Sequence, residues 1–304
     1  MKTKGIAMRN RVLRVAGAVG LLFLATTMPA QPASSPQQGA GSHAISAPAA
    51  APLTNVKVYL IGDSTMSIKE TRAYPETGWG MPFAYFFDSS VTVDNRAKNG
   101  RSTKTFLSEG LWQSVTQELK EGDYVFIQFG HNDEAKEKTE RYTTPEEYKT
   151  NLARFVSETR AKKAIPVLLT PVARRKFDAS GHIVETHEIY SNLVRSVAKE
   201  QNVVLIDLDK KSQALLEQYG ETNSKLLFDW LEPGEHPNYP EGKQDNTHFN
   251  ELGARKIAEL VLVEMKALHL DLADKVVKRQ VIEPPAAVPA TDKKIAGPKT
   301  PARD

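Results

Sequence analysis

Ser64 stands in the stretch Val58-Tyr-Leu-Ile-Gly-Asp-Ser-Thr-Met66, where an apolar run of strand type stops at Gly62-Asp63 and a segment able to open a helix follows. A serine at such a turn sits on an exposed corner beside the unpaired N–H groups of a helix start. Those donors can stabilise the oxyanion that forms when a serine attacks an ester. A Gly-Asp-Ser turn alone is more often a stabilised connection than a nucleophile, so the chemistry requires a base. Asp245-Asn-Thr-His248 offers one, read as a loop or first helical turn leading into an apolar-periodic helix from Ala254 to Leu268. The Asp245 carboxylate can accept a hydrogen bond from one imidazole nitrogen of His248. That fixes the tautomer and leaves the other nitrogen to take the serine proton. In isolation a D-x-x-H also fits a turn cap beside a surface histidine.

Two further blocks offer donors for an oxyanion. Asn99-Gly100-Arg101-Ser102 follows the strand-like Val91-Thr-Val93, and Gly130-His131-Asn132-Asp133 ends the buried-strand pattern Tyr124 to Phe129. Gly100 can present its backbone N–H without side-chain hindrance, and the Asn132 amide can donate from the side. Asp63 reads as a turn former and His131 as a residue that holds the Asn132 loop or packs structurally.

The elements that must position these residues alternate. Strand candidates are Val56–Ile61, Val91–Asn95, Tyr124–Phe129, Pro166–Thr170 and Val203–Ile206. Helix candidates are Pro82–Phe87, Leu107–Leu119, Pro145–Ala161, Glu188–Glu200, Lys210–Tyr219 and Glu251–Leu268. Short apolar strands separated by helices predict an α/β fold, a five-stranded parallel sheet with helices on both faces. Sites in such sheets form beyond the carboxyl ends of the strands, where Ser64, Gly100 and Asn132 fall.

Gly62-Asp63-Ser64, Gly100, Gly130-His131-Asn132-Asp133 and Asp245-x-x-His248 together resemble the four sequence blocks of the SGNH (GDSL-type) hydrolases. Gly78-Trp79-Gly80, Asn99-Gly-Arg-Ser102, Phe129-Gly-His-Asn-Asp133 and Thr170-Pro-Val-Ala-Arg174-Arg175-Lys-Phe177 are similar to the rhamnogalacturonan acetylesterase branch, as is Asp245 through Gly253. The resemblance spans about Val56 to Leu268. It implies a flavodoxin-like three-layer α/β/α sandwich in which Ser64 is the nucleophile, His248 the base and Asp245 its orienting acid. The Ser64 and Gly100 N–H groups and the Asn132 amide would form the oxyanion hole, with no metal and no cofactor. The implied substrate is an acetylated acidic polysaccharide, with acetylated xylan as the alternative. Arg174, Arg175 and Arg101 are candidate contacts to uronate carboxylates, or members of internal ion pairs. Trp79, Trp230 and Tyr239 are candidate sugar platforms or packing residues. Two readings of other classes stay open: a metal-dependent phosphoesterase and a non-catalytic carbohydrate-binding domain.

The 304 residues are 40 % hydrophobic and 25 % charged, ordinary for a globular protein, and hold no cysteine. Disulfides and thiolate metal sites are thereby excluded. Residues 1–30 read as a secretion signal, with Lys2, Lys4, Arg9, Arg11 and Arg14 ahead of the apolar run Val15 to Leu24. That run is too short to span a bilayer. The formal net charge of +3 falls to −2 without this leader, whose five cations have no acidic counterpart. The basicity thus belongs to the leader and gives no support to nucleic-acid binding. Residues 31–52 read as a flexible linker, 53–270 as the hydrolase domain and 271–304 as a disordered Pro/Lys/Ala-rich tail. The expected product is a monomer, secreted or periplasmic and free of the membrane once the leader is removed.

Overall fold

One parallel sheet is built in the order β2-β1-β3-β4-β5 from β1 (Val56–Gly62), β2 (Val91–Asn95), β3 (Tyr124–Gln128), β4 (Ile165–Leu169) and β5 (Val204–Ile206). The computed structural model describes residues 55–278; the expected leader, the linker up to residue 52 and most of the tail lie outside them. All of β3, and β1 from Val58 onward, is buried. A strand covered on both faces needs apolar side chains at successive positions, which is why these strands read as continuous apolar runs.

Successive side chains point to opposite faces. Val58 and Leu60 enter one core with Phe126, Val167, Leu169 and Ile206, while Tyr59 and Ile61 enter the other with Val125, Ile127 and Leu168. The first core is covered by α1 (Gly80–Phe83), α6 (Leu208–Asn223) and α7 (Glu251–Ala267). The second is covered by α2 (Thr103–Ser108), α3 (Leu111–Glu118), α4 (Pro145–Ala161) and α5 (Glu188–Glu200). The layers are therefore α/β/α. Helix α4 begins where the sequence marks it: the Thr144 side chain accepts from Glu147 N, and the Glu147 side chain accepts from Thr144 N, with Pro145 at the first turn.

Four expectations are corrected. The helix expected over Leu107–Leu119 is two helices, because Gly110 adopts a left-handed φ of 72° between them. The segment Pro82–Phe87 is the end of α1 followed by a 3-10 turn at Ala84–Phe86. The ordered domain runs past residue 270, since Asp271–Lys275 forms a 3-10 turn that buries Leu272. And the residues before α7 form no loop or helical turn. They are a strand, β7 (Lys243–Phe249), paired antiparallel with β6 (Phe228–Leu231).

That hairpin is irregular where it matters. Phe228 pairs with Phe249 and Trp230 with Gln244. Two steps along β6 thus face five along β7, and the surplus residues of Asp245–His248 bulge out of the ladder.

Candidate active site

Ser64 follows the end of β1, in a turn that Asp63 holds. Asp63 Oδ1 accepts from Thr65 N at 3.0 Å and Thr65 Oγ1 at 2.8 Å. Its Oδ2 lies 3.3 Å from His131 Nδ1. Burial pushes the Asp63 carboxyl up, but His131 and the Thr65 hydrogen bonds outweigh it and hold it at about 2. Burial and the neighbouring His187 drive His131 down to about 4, so at neutral pH its ring is uncharged. Asp63 therefore acts on the shape of the turn. Beneath the turn, Gly78-Trp79-Gly80 brings α1 against the chain after Ser64. A Cβ on Gly78 would lie 2.0 Å from Ser67 O. Trp79 N donates to Thr65 O, and Trp79 Nε1 donates to Gln128 Oε1 at 2.5 Å. Gln128 Nε2 in turn donates to Thr65 Oγ1. Trp79 is wholly buried, so it is a packing residue and not a sugar platform.

Across the sequence, the bulge brings His248 to Ser64. The Asp245 Oδ1 atom accepts from Thr247 N at 2.7 Å and His248 N at 2.9 Å, and Oδ2 sits 2.8 Å from His248 Nδ1. His248 Nε2 is 2.9 Å from Ser64 Oγ. Burial raises the Asp245 carboxyl, yet His248 and these N–H groups hold it well below the usual carboxylate range, so it stays charged. In a regular strand residues three apart would face opposite sides; the bulge puts both on one.

The candidate oxyanion donors converge on the same cavity, of about 500 Å³, which Ser64, Gly100, Asn132, Arg141, Arg174 and His248 help to line. Among the described residues, neither Ser64 N nor Gly100 N donates to an internal acceptor. Asn132 Nδ2 donates to Arg101 O at 3.0 Å, which fixes the amide and leaves its second hydrogen for the cavity. Asp133 ties this turn to α2 by accepting from Thr103 N and Thr103 Oγ1; burial raises its carboxyl to about 7.

The arginines divide. Arg174 reaches the cavity, with Nη1 donating to Thr247 Oγ1 at 2.6 Å and Nη2 3.4 Å from Glu134 Oε1. Arg175 is buried and turned away. Its guanidinium donates to Ser224 Oγ, Asn246 Oδ1 and Glu221 O and lies 5.3 Å from the Trp230 ring centroid. Its backbone N donates to Asn246 O at 2.8 Å. It anchors the bulge and cannot meet a substrate. Arg101 pairs with Glu109 at the surface, and only its carbonyl serves the site. Trp230 donates to Asn246 Oδ1 and Tyr239 to Ala73 O, which gives both a packing role.

Sequence reasoning missed Lys69, Glu76, Lys243 and Arg141. Lys69, with no exposed side-chain surface, donates to Ser64 O at 2.5 Å and Asn99 Oδ1 at 2.7 Å and pairs with Glu76 Oε1 at 2.8 Å. It stitches the nucleophile turn to the loop that carries Gly100. Burial lowers its ammonium pKa against the pull of Glu76. Lys243 bonds Asp229 Oδ2 at 2.5 Å and Glu76 Oε2 at 3.1 Å and stands 3.7 Å from Asp245 Oδ2. Glu76, Asp245 and His248 hold ligand atoms within 4.8 Å of one another, the one such cluster among the described residues. The ammonium groups of Lys69 and Lys243 already bind Glu76, and Lys243 stands beside Asp245, so the cluster has its cations built in. A lysine five residues past the serine offered no signal, since its partners lie in other elements.

Comparison with known proteins identifies the family. Residues 60–256 match the sequence model of the GDSL-like lipase/acylhydrolase family. The rhamnogalacturonan acetylesterase RhgT of Bacillus subtilis is 43% identical over 225 residues, covering 74% of this chain and 96% of that protein. The probable rhamnogalacturonan acetylesterase YesY of the same organism is 36% identical over 224 residues, covering 73% and 98%. A crystal structure of the B. subtilis protein YxiM superposes with a TM-score of 0.62 at 27% identity, covering 72% of this chain and 58% of that one.

Proposed function

The chain belongs to the GDSL-like lipase/acylhydrolase family, and from that premise we propose that it is an exported carbohydrate esterase that removes acetyl groups from rhamnogalacturonan. The observation that carries the reading is the unbroken relay from Asp245 through His248 to Ser64, opening on the cavity that Gly100 and Asn132 share. The substrate follows from the kinship to RhgT and YesY, each matched over nearly its whole length. Export follows from the basic and apolar leader.

In this reading Ser64 Oγ attacks the acetyl carbonyl while His248 Nε2 takes its proton. Asp245 keeps Nδ1 protonated and steadies the imidazolium that results. The tetrahedral oxyanion is met by the N–H groups of Ser64 and Gly100 and the free hydrogen of the Asn132 amide. His248 returns the proton to the departing sugar hydroxyl. Water, deprotonated by the same imidazole, then releases acetate from Ser64.

Acetate release measured side by side on acetylated rhamnogalacturonan, homogalacturonan and xylan tests the reading. The pectic rhamnogalacturonan should be the preferred polymer by kcat/KM. Preference for xylan would replace it with the neutral-polysaccharide alternative, and turnover that EDTA abolishes would overturn the serine mechanism.

A further inference from the structure

The charged groups around the cavity are not equally committed. Glu76 is bound by Lys69 and Lys243 at 2.8 and 3.1 Å. Arg174 is held by Thr247 and Glu134. Lys138 and Glu137 also line the cavity, but their side chains stand exposed to solvent. Arg141 is the exception. Its side chain is only 20% exposed, yet its Nε is buried with no hydrogen-bond partner. The nearest carboxylate oxygen, Glu140 Oε1, is 4.0 Å away on a side chain that is itself 71% exposed. Its Nη1 makes a single long contact, 3.5 Å to Gly100 O. A guanidinium carries five donors in a planar fork, and leaving such donors buried and unpaired is unfavourable unless something else fills them.

The backbone that carries this fork is held. Arg141 N donates to Lys138 O in a tight turn, and Arg141 O accepts from Thr143 Oγ1. The head lies over Gly100: a Cβ there would come within 3.1 Å of Nη1. The glycine at 100, at a φ of 76°, thus leaves room for a cation beside the donor assigned to the oxyanion.

We propose that Arg141 is the anion-reading residue of this cavity, binding a uronate carboxylate of the polysaccharide through its guanidinium fork while the acetyl ester lies at Ser64. The inference rests on the acidic polysaccharide proposed above as substrate. It moves the recognition of that acid from Arg174, Arg175 and Arg101, all internally committed, to a residue with free donors. A planar carboxylate matches the fork in two parallel hydrogen bonds, which an ammonium at the same place would not reproduce.

The test compares acetylated rhamnogalacturonan oligosaccharides with the same oligosaccharides after reduction of their carboxyl groups to alcohols. The wild-type enzyme should favour the acidic form. Arg141→Gln should raise KM for the acidic form about tenfold, a loss of ~1.4 kcal/mol, and so erase the preference. Arg141→Lys should recover part of it, and 0.5 M NaCl should shift the wild type toward the Gln variant on the acidic form. A fall in kcat shared by both forms would place Arg141 in oxyanion stabilisation and overturn the proposal. Equal rises in KM with a lowered Tm would make it structural. If Arg141→Gln fails to fold, the wild-type comparison of acidic with reduced substrate, its salt dependence and Arg141→Lys still decide. A wild type indifferent to carboxyl reduction overturns Arg141 alone. A wild type that releases no acetate from either form, while hydrolysing acetylated xylan, overturns the acidic-polysaccharide reading itself.

Discussion

Ser64 and His248, the nucleophile and base proposed above, reach hydrogen-bonding distance by opposite structural means. Ser64, Gly100 and Asn132 follow the carboxyl ends of β1, β2 and β3, which are neighbours in the parallel sheet. Their spacing is a by-product of strand pairing, tightened by Lys69 and by Asp133. Asp245 and His248 have no such frame. They ride a bulge in a two-stranded hairpin, shaped by two N–H bonds to Asp245 Oδ1 and pinned from behind by Arg175 and Trp230 on Asn246. A regular sheet positions several residues at little extra cost; a bulge positions one pair and needs its own anchors.

Removing either pole outright has the largest effect. Ser64→Ala and His248→Ala should each lower kcat by roughly 10³-fold or more while the fold survives, because both act in one proton-coupled attack. Retention of more than about a tenth of wild-type kcat, in a steady-state assay on p-nitrophenyl acetate, would break the pairing of the two regions. Asn132→Ala should cost roughly 10²–10³ in kcat with little change in KM, since its donor is used in the transition state. A KM effect at constant kcat would move Asn132 from the nucleophile side's chemistry to substrate binding.

Arg175→Gln sharpens the contrast on the base side. Loss of its buried hydrogen bonds should destabilise the domain by about 2–4 kcal/mol. A melting curve would show this as a Tm lower by roughly 5–10 °C. Turnover should fall about tenfold on polymer and p-nitrophenyl acetate alike, because the whole bulge loosens. Selective loss on the polymer would contradict the anchoring role.

The last effect is a slope, on stability and not on turnover. His131 has a folded pKa of about 4 against roughly 6.5 unfolded. Between these values the unfolded chain binds more protons, so stability is complete above about 6.5 and is lost as pH falls toward 4, by up to ~3 kcal/mol. In His131→Asn the Tm should depend less steeply on pH across that window. An unchanged slope would mean that other groups carry the acid sensitivity of the nucleophile turn.

The same contrast explains what could be read from the sequence. The five strands were legible to within a residue or two. Burial on both faces writes the central β1, β3 and β4 as apolar runs, and the less buried edge strands β2 and β5 still carry β-branched or aliphatic residues. With the strands came Ser64, Gly100 and Asn132. β7 was not legible: Lys-Gln-Asp-Asn-Thr-His-Phe has no alternation, and it is a strand only because β6 pairs with it. Asp245 and His248 were found through their spacing, but the element that carries them was misread. Arg174 and Arg175 were equivalent in sequence. Adjacent residues of an extended segment point to opposite sides, so one reaches the cavity and the other the interior. Lys69 and Arg141 had no pattern to announce them, since Lys69 acts by tying separate turns together and Arg141 reaches the site only over Gly100, 41 positions away.

Ser64 and His248 are separated by 184 positions, and their bond closes nearly the whole domain. Every strand of the parallel sheet has been laid down by Ile206, yet the base comes later, on β7. A chain that ends between those points contains Ser64, the proposed oxyanion loops and the complete sheet, but lacks the proposed base that would deprotonate the serine. Under the mechanism proposed above, ester turnover therefore reports on chains that extend through β7 with the hairpin docked, and not on chains that stop short of it.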